Sequence, residues 1–367
     1  QDVDQLGTVL TDWLREAGFQ TFMMPKTEAP ADEPWQADLG HVFMAKTHGR
    51  EAEPGIVFLG HMDTVFPKGT AQARPFKIEG DRATGPGVAD MKAGVVANMF
   101  AARALKDLGL IDVPMTLMFS PDEELGAPTA TRVYRERISG ARAVICAEPG
   151  FPDGGVTTER RGSGHFHMRI SGISAHAGRC YEDGASAILE LAHKIVALDA
   201  FVDAQAQTIV NTGLISGGNS ANAVAPWADA RIHITFNTVD AAERLVENVR
   251  AVAARTFVPR TTTRISGGIR LHPLEYTADV ETLFGMAERA CAAMGGYTIR
   301  RNRALGASEA GFTASVLGIP SICSMGPEGA ELHSPSEYLS VDTVLPRCKM
   351  IALTAIQAAR AFPSTRV

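Results

Sequence analysis

The sequence predicts an α/β protein: a mostly parallel-sheet domain carrying a second, α+β domain as an insertion. Three observations carry this expectation. Short apolar runs at 56–59, 115–119 and 143–146 are bounded by turn residues and separated by helical periodicity, as strands buried on both faces of a parallel sheet should be. Each run finishes in acidic or imidazole side chains, at the strand end where open α/β sheets place their ligands. From 163 to 268 the pattern changes to alternating strands and two helices in the order strand–helix–strand–strand–helix–strand, that of a small α+β sandwich.

Bulk properties narrow the function classes. A chain of 367 residues is long for one core and suggests two domains, here 1–162 joined with 269–367 around an inserted 163–268. A net charge of −6 gives no reason to expect nucleic acid or an anionic membrane as a partner. No apolar run approaches the roughly 18 residues that span a bilayer. Five cysteines, with an odd count and no CxxC spacing, read as small core residues in a reducing compartment. A cytoplasmic location is therefore expected. Because the chain starts at Gln1, a periplasmic one with an upstream signal stays open.

The elements follow in order. Residues 3–17 have apolar positions at helical spacing and stop at Gly18. Strands are expected at 19–24 and 42–46, then the central run that closes in Gly60-His61-Met62-Asp63. The polar stretch 69–85 holds a hairpin around Gly80, and a glycine-punctuated turn through Asp90 leads into a small-residue helix at 92–108. The strand 115–119 ends in Ser120-Pro121-Asp122-Glu123-Glu124, and Gly126 and Pro128 open another helix. The strand 143–146 ends in Ala147-Glu148. In the insertion, strands fall at 164–171, 228–237 and 261–266 and helices at 183–198 and 240–255, with glycines at 162, 164, 267 and 268 marking its limits. Helices at 279–294, after Ser308 and at 342–361, with a short strand at 321–324, complete the first domain.

Collected at strand ends and following turns are His61, Asp63, Asp90, Glu123, Glu124, Glu148 and His333. Singly, each has a plain structural explanation: Asp90 as a helix N-cap, Glu123-Glu124 as first-turn acids, His333 as a loop residue. Together, imidazoles and carboxylates without thiolates suit zinc, with cobalt or manganese as alternatives. The set is large enough for two ions sharing a carboxylate, which can activate a water and polarise a carbonyl. In the doublet Glu123-Glu124, adjacent side chains diverge, so one can bind metal while the other handles a proton.

The blocks GHMDTV, GPGVADMKAG, SPDEELGA, AEPG, SAHAG and LHSPSEY, in this order, resemble the di-zinc exopeptidase family. That family includes glutamate carboxypeptidases, acetylornithine deacetylase, succinyl-diaminopimelate desuccinylase and the aminoacylases; the glutamate carboxypeptidase branch is the most similar. The resemblance implies that His61 and Glu148 hold one zinc and Glu124 and His333 the other. Asp90 would bridge them with a cis peptide to Met91, Asp63 would orient His61, and Glu123 would be the general base. The insertion would be a lid and dimerisation domain, its His176 reaching the partner subunit's site to stabilise an oxyanion. Asn222 and Arg231, and less strongly Arg270, would bind a substrate carboxylate.

Two departures bear on the substrate. Tyr181 stands where the family has a proline after the histidine, and Gly306-Ala307-Ser308-Glu309-Ala310 replaces the usual Gly-Thr-Asp-Ala. The expectation is a homodimeric amidohydrolase releasing a C-terminal amino acid, glutamate first, from an N-acyl amino acid or peptide-like small molecule. Acetylornithine-type deacylation is the alternative within the class. A catalytically inactive binding relative and a single-metal hydrolase are the readings outside it.

Overall fold

A computed structural model describes residues 2–26, 29, 33–47 and 53–363. The chain divides into two compact units, residues 1–160 with 274–367, and residues 161–273. Among the described residues, no helix is long and apolar enough to cross a membrane.

The first unit is built on a six-stranded sheet in the order Gln20–Met23, Phe43–Lys46, Met115–Ser120, Ile56–His61, Ala143–Cys146, Ser321–Ile322. The last four strands run parallel; the first two join antiparallel. The sheet is thus mixed, less parallel than the apolar runs suggest, because hydrophobic patterning records burial and not strand direction. All six residues of Ile56–His61 are buried. His61 pairs level with Ser120, and Leu59 with Cys146, so the chain leaves three neighbouring strands at one edge.

Helices Ala93–Asp107, Ala278–Ala293 and Val344–Ala361 contribute to one apolar core with the sheet, including Phe58, Val95, Phe119, Phe284 and Ile351. The first of these helices approaches closely enough that a Cβ on Gly94 would lie 1.8 Å from the Ala147 carbonyl oxygen. Glycine is required there. A small antiparallel sheet pairs Lys77–Glu79 with Arg82–Thr84, and the latter with Tyr338–Ser340. This pairing brings the 333–337 turn beside the turn that carries Asp90.

The second unit is a four-stranded antiparallel sheet in the order Ile209–Gly217, Trp227–Phe236, Gly162–Ser171, Thr262–Leu271. One face, with Phe166, Met168, Ile170, Ile232 and Ile234, packs on helices Ala187–Asp199 and Val239–Ala254. The alternate residues His165, His167, Arg169, Arg231 and His233 belong to the other face. The strand Ile209–Gly217 takes the second strand position of the expected order, for which the sequence supplied no range because a register shift between Thr212 and Leu214 breaks its alternation. The last strand runs through Gly267 and Gly268, which the sequence suggested as an end point. Gly267 has φ +98°, and a Cβ there would sit 2.1 Å from the His165 carbonyl oxygen, so the glycine permits close pairing and does not break the strand. Arg270, expected just beyond this unit, consequently lies within its edge strand.

Candidate metal centre

The parallel strand ends deliver the first groups. His61 closes the central strand; its Nε2 lies 3.1 Å from Asp90 Oδ1 and 3.9 Å from Glu148 Oε1. The other Asp90 oxygen, Oδ2, is 3.2 Å from His333 Nε2, which in turn is 3.4 Å from Glu124 Oε2. The five side chains form a row, Glu148–His61–Asp90–His333–Glu124, with one oxygen of the central carboxylate toward each imidazole. His61, Asp90 and Glu124 each offer a donor atom, and these atoms lie within 4.8 Å of one another.

Two buried carboxylates hold this row in place. Asp63, two residues beyond His61, has its backbone oxygen 3.1 Å and its Oδ1 3.3 Å from His61 Nδ1. The same carboxylate accepts the backbone N–H groups of Glu123 at 3.2 Å and Glu124 at 3.0 Å, fixing where that doublet starts. Glu337, fully buried, accepts from the backbone N–H groups of Gly87, Ala89 and Asp90 at 2.9, 2.9 and 3.1 Å. It clamps the turn that presents Asp90, in which the Asp90–Met91 peptide is cis. Sequence reasoning missed Glu337; the available signal was its place four residues after His333 in the LHSPSEY block. It also missed Asp122, buried, whose carboxylate accepts from Thr129 N at 2.7 Å and so starts the helix Pro128–Arg137.

Charge on these groups follows from burial and mutual proximity. Burial raises Glu123 well above the usual carboxylate range, and the neighbouring carboxylates of Glu148, Glu309 and Glu124 add to it while His61 opposes. Glu148 is raised in the same way by burial and by Asp90, and burial lifts Glu124 to about 7. Burial disfavours charge on His61, yet its contacts with Asp63 and Asp90 hold it well above its ordinary value. Asp90 is held low despite burial by its contacts with His333 and His61. This convergence of buried carboxylates on two imidazoles fits a cation: hard oxygen and imidazole nitrogen donors, no thiolate. His61 with Glu148 on one side of Asp90, and Glu124 with His333 on the other, would hold two such ions with Asp90 between them. Beside Asp63 and Glu124 a cavity of about 720 Å³ opens, its wall mostly apolar (Leu39, Val65, Pro121, Leu125) with Asp2, Asp38 and Lys68 also lining it.

In the second unit, His176 pairs with Ala223, and Ala177 N donates to the Asn222 carbonyl at 3.0 Å, so His176 and Asn222 stand on adjoining segments. Arg231 lies on the strand Trp227–Phe236, its Nε 4.0 Å from Asp229 Oδ1.

The chain matches the model of peptidase family M20/M25/M40 over residues 57–357. It is 26% identical to carboxypeptidase G2 of Pseudomonas sp. (strain RS-16), across 86% of this chain and 76% of that protein. It is 28% identical to the succinyl-diaminopimelate desuccinylase of Gluconacetobacter diazotrophicus, across 96% of this chain and 89% of that one. A probable carboxypeptidase of Arthroderma benhamiae, 26% identical, is matched over 55% of its length, so this chain spans about half of it. Among solved structures, the aminopeptidase PepT of Bacillus cereus superposes with a TM-score of 0.73 at 21% identity, covering 96% of this chain and 92% of that one.

Proposed function

The chain belongs to peptidase family M20/M25/M40, and from that premise we propose that it removes a C-terminal amino acid, glutamate first, from an N-acyl amino acid or small peptide. Membership makes it a metal-dependent hydrolase of amide bonds. The observation that carries the hydrolytic mechanism is Glu123, a buried carboxylate whose backbone is pinned by Asp63 next to the His61–Asp90–His333 row. Two divalent ions, zinc by our assignment, would supply Lewis acidity toward the amide carbonyl and a more acidic water.

Glu123 takes the proton of the attacking water and returns it to the leaving nitrogen. Burial makes it hold a proton more readily than an exposed carboxylate, as a group that takes a proton and returns it should. Asp63 and Glu337 do no chemistry; they keep His61, Glu124 and Asp90 in register. We assign the second unit as a lid and dimerisation domain, with His176 of a partner subunit serving the oxyanion. Asn222 and Arg231 are assigned to the substrate carboxylate, with Arg270 as a secondary candidate. The apolar-walled cavity beside Glu124 would take the acyl side.

Resemblance to the desuccinylase favours a second substrate set, N-succinyl or N-acetyl diamino acids. One assay separates them: zinc-loaded protein is offered N-acyl glutamates, a dipeptide ending in glutamate, N-acetylornithine and a succinylated diamino acid, and released amine is measured. Preference for the acyl-glutamates supports the reading. Preference for the acylated diamino acids replaces it with the deacylase reading, and no release from any of them refutes both.

A further inference from the structure

The second unit carries a pair of histidines that the hydrolytic reading does not use. His165 and His233 face each other directly on neighbouring antiparallel strands, His165 exposed and His233 half-buried. Their rings lie 4.9 Å apart between centroids, with His233 Nδ1 3.0 Å from His165 Nε2. His233 Nε2 is 3.0 Å from Thr235 Oγ1, a hydroxyl that can accept the ring's N–H and leave the Nδ1 lone pair toward His165. On the far side of His165 the register partner is Gly268, where even an added Cβ would meet nothing within 4 Å. The pair therefore has open space beside it.

We propose that His165 and His233 chelate a divalent transition ion, zinc, nickel or copper, at a site separate from the metal centre of the first unit. Once both rings turn so that these nitrogens face the open side, two imidazole nitrogens about 3.0 Å apart on one ion at about 2.05 Å subtend about 94° at the metal, close to the right angle of octahedral coordination. Water on the open side completes the shell. Neutral imidazoles, which ligands must be, are favoured: desolvation where the two rings meet, and then His233, shift His165 down, and desolvation shifts His233 down. On these two strands the neighbouring side chains of His167, Arg169 and Arg231 turn to Asp229. His167 contacts Asp229, Arg169 Nε lies 3.4 Å from the same carboxylate, and Arg231 Nε lies 4.0 Å from it. Binding replaces the shared N–H···N hydrogen bond. The ring that donates that proton shifts it from the bridging nitrogen to its own second nitrogen, so no net proton is released. For His165 this is a move from Nε2 to Nδ1.

The test is equilibrium dialysis of the full chain against rising micromolar free zinc, with ions per chain counted by elemental analysis. Wild type is expected to bind one ion more than either His165→Gln or His233→Gln. Replacing His333 by alanine should lower the count at the other centre and leave this difference intact, so the result stands apart from the hydrolase reading. Copper(II) added to zinc-loaded wild type should show hyperfine coupling to two imidazole nitrogens, a readout that requires no variant. Equal stoichiometry in wild type and both glutamine variants, or copper without paired imidazole coupling, overturns the proposal and leaves the pair as a hydrogen bond.

Discussion

Replacing Glu337 by glutamine tests whether the Asp90 turn is positioned from outside the candidate metal row. In the native protein Oε1 accepts from Ala89 N and Asp90 N, and Oε2 from Gly87 N. A glutamine that keeps its carbonyl oxygen at Oε1 turns its amide toward Gly87 N–H, setting two donors against each other in a fully buried site. Losing one charge-assisted bond and leaving that donor unpaired costs about 1.5–3 kcal/mol. At about 2–4 °C per kcal/mol for a unit of this size, Tm should fall by about 3–12 °C. Groups that orient metal ligands typically change affinity by about 10–100-fold, so half-saturation with zinc should move up by that factor. The assays are thermal unfolding and zinc titration by competition with a chelator, with kcat read at saturating zinc and expected near wild type. A lower Tm with unchanged zinc affinity would refute the positioning role. If neither changes, the three hydrogen bonds contribute nothing and the argument fails at its first step.

Three further outcomes follow from the same geometry. Glu123→Gln should lower kcat by about 10²–10⁴ with zinc content unchanged, because it removes proton transfer while keeping the side chain's shape; activity near wild type would remove Glu123 from the mechanism. Burial raises Glu309 to about 8, against the opposing hydrogen bonds of Ser120 and of buried Tyr134, whose hydroxyl donates to Oε1 at 2.9 Å. Between its unfolded value of about 4.5 and about 8 the folded chain holds a proton that the unfolded chain has lost. This contribution is therefore complete below the lower value and fades as pH rises through the upper one. Glu309→Gln, which imitates the protonated acid, should lose less Tm than wild type between pH 5 and pH 9, and parallel pH profiles would contradict the assignment. In the second unit, Lys194 Nζ donates to the carbonyls of Val252 and Ala253 at 2.9 Å each and pairs with Glu190 at 3.0 Å, both side chains fully buried. Glu190 also accepts from Phe257 N at 2.9 Å and Val258 N at 2.6 Å. Lys194→Met, which removes its counter-charge and leaves two carbonyls unpaired, should therefore cost about 2–4 kcal/mol in urea unfolding, and adding Glu190→Gln should recover part of it.

The sequence by itself determined the parts of this protein that rest on local chemistry. Ile56-Val57-Phe58-Leu59 reads as a buried strand because nothing in it tolerates water, and His61 and Asp63 reads as a pair because residues two apart share a face. The candidate ligand types and their place at strand ends followed from the same reasoning, as did the helices from their apolar spacing. Tertiary structure decided what depends on residues far apart in the chain. The strand order, with Met115–Ser120 between Phe43–Lys46 and Ile56–His61, leaves no mark on hydrophobic period. Glu337 looked like any acid after a turn until its carboxylate met the N–H groups of residues 87–90, some 250 positions earlier. Asp63 likewise gained a second task, holding the backbone of Glu123 and Glu124. A backbone N–H is the same in every non-proline residue, so a carboxylate's choice among them is written only in the fold.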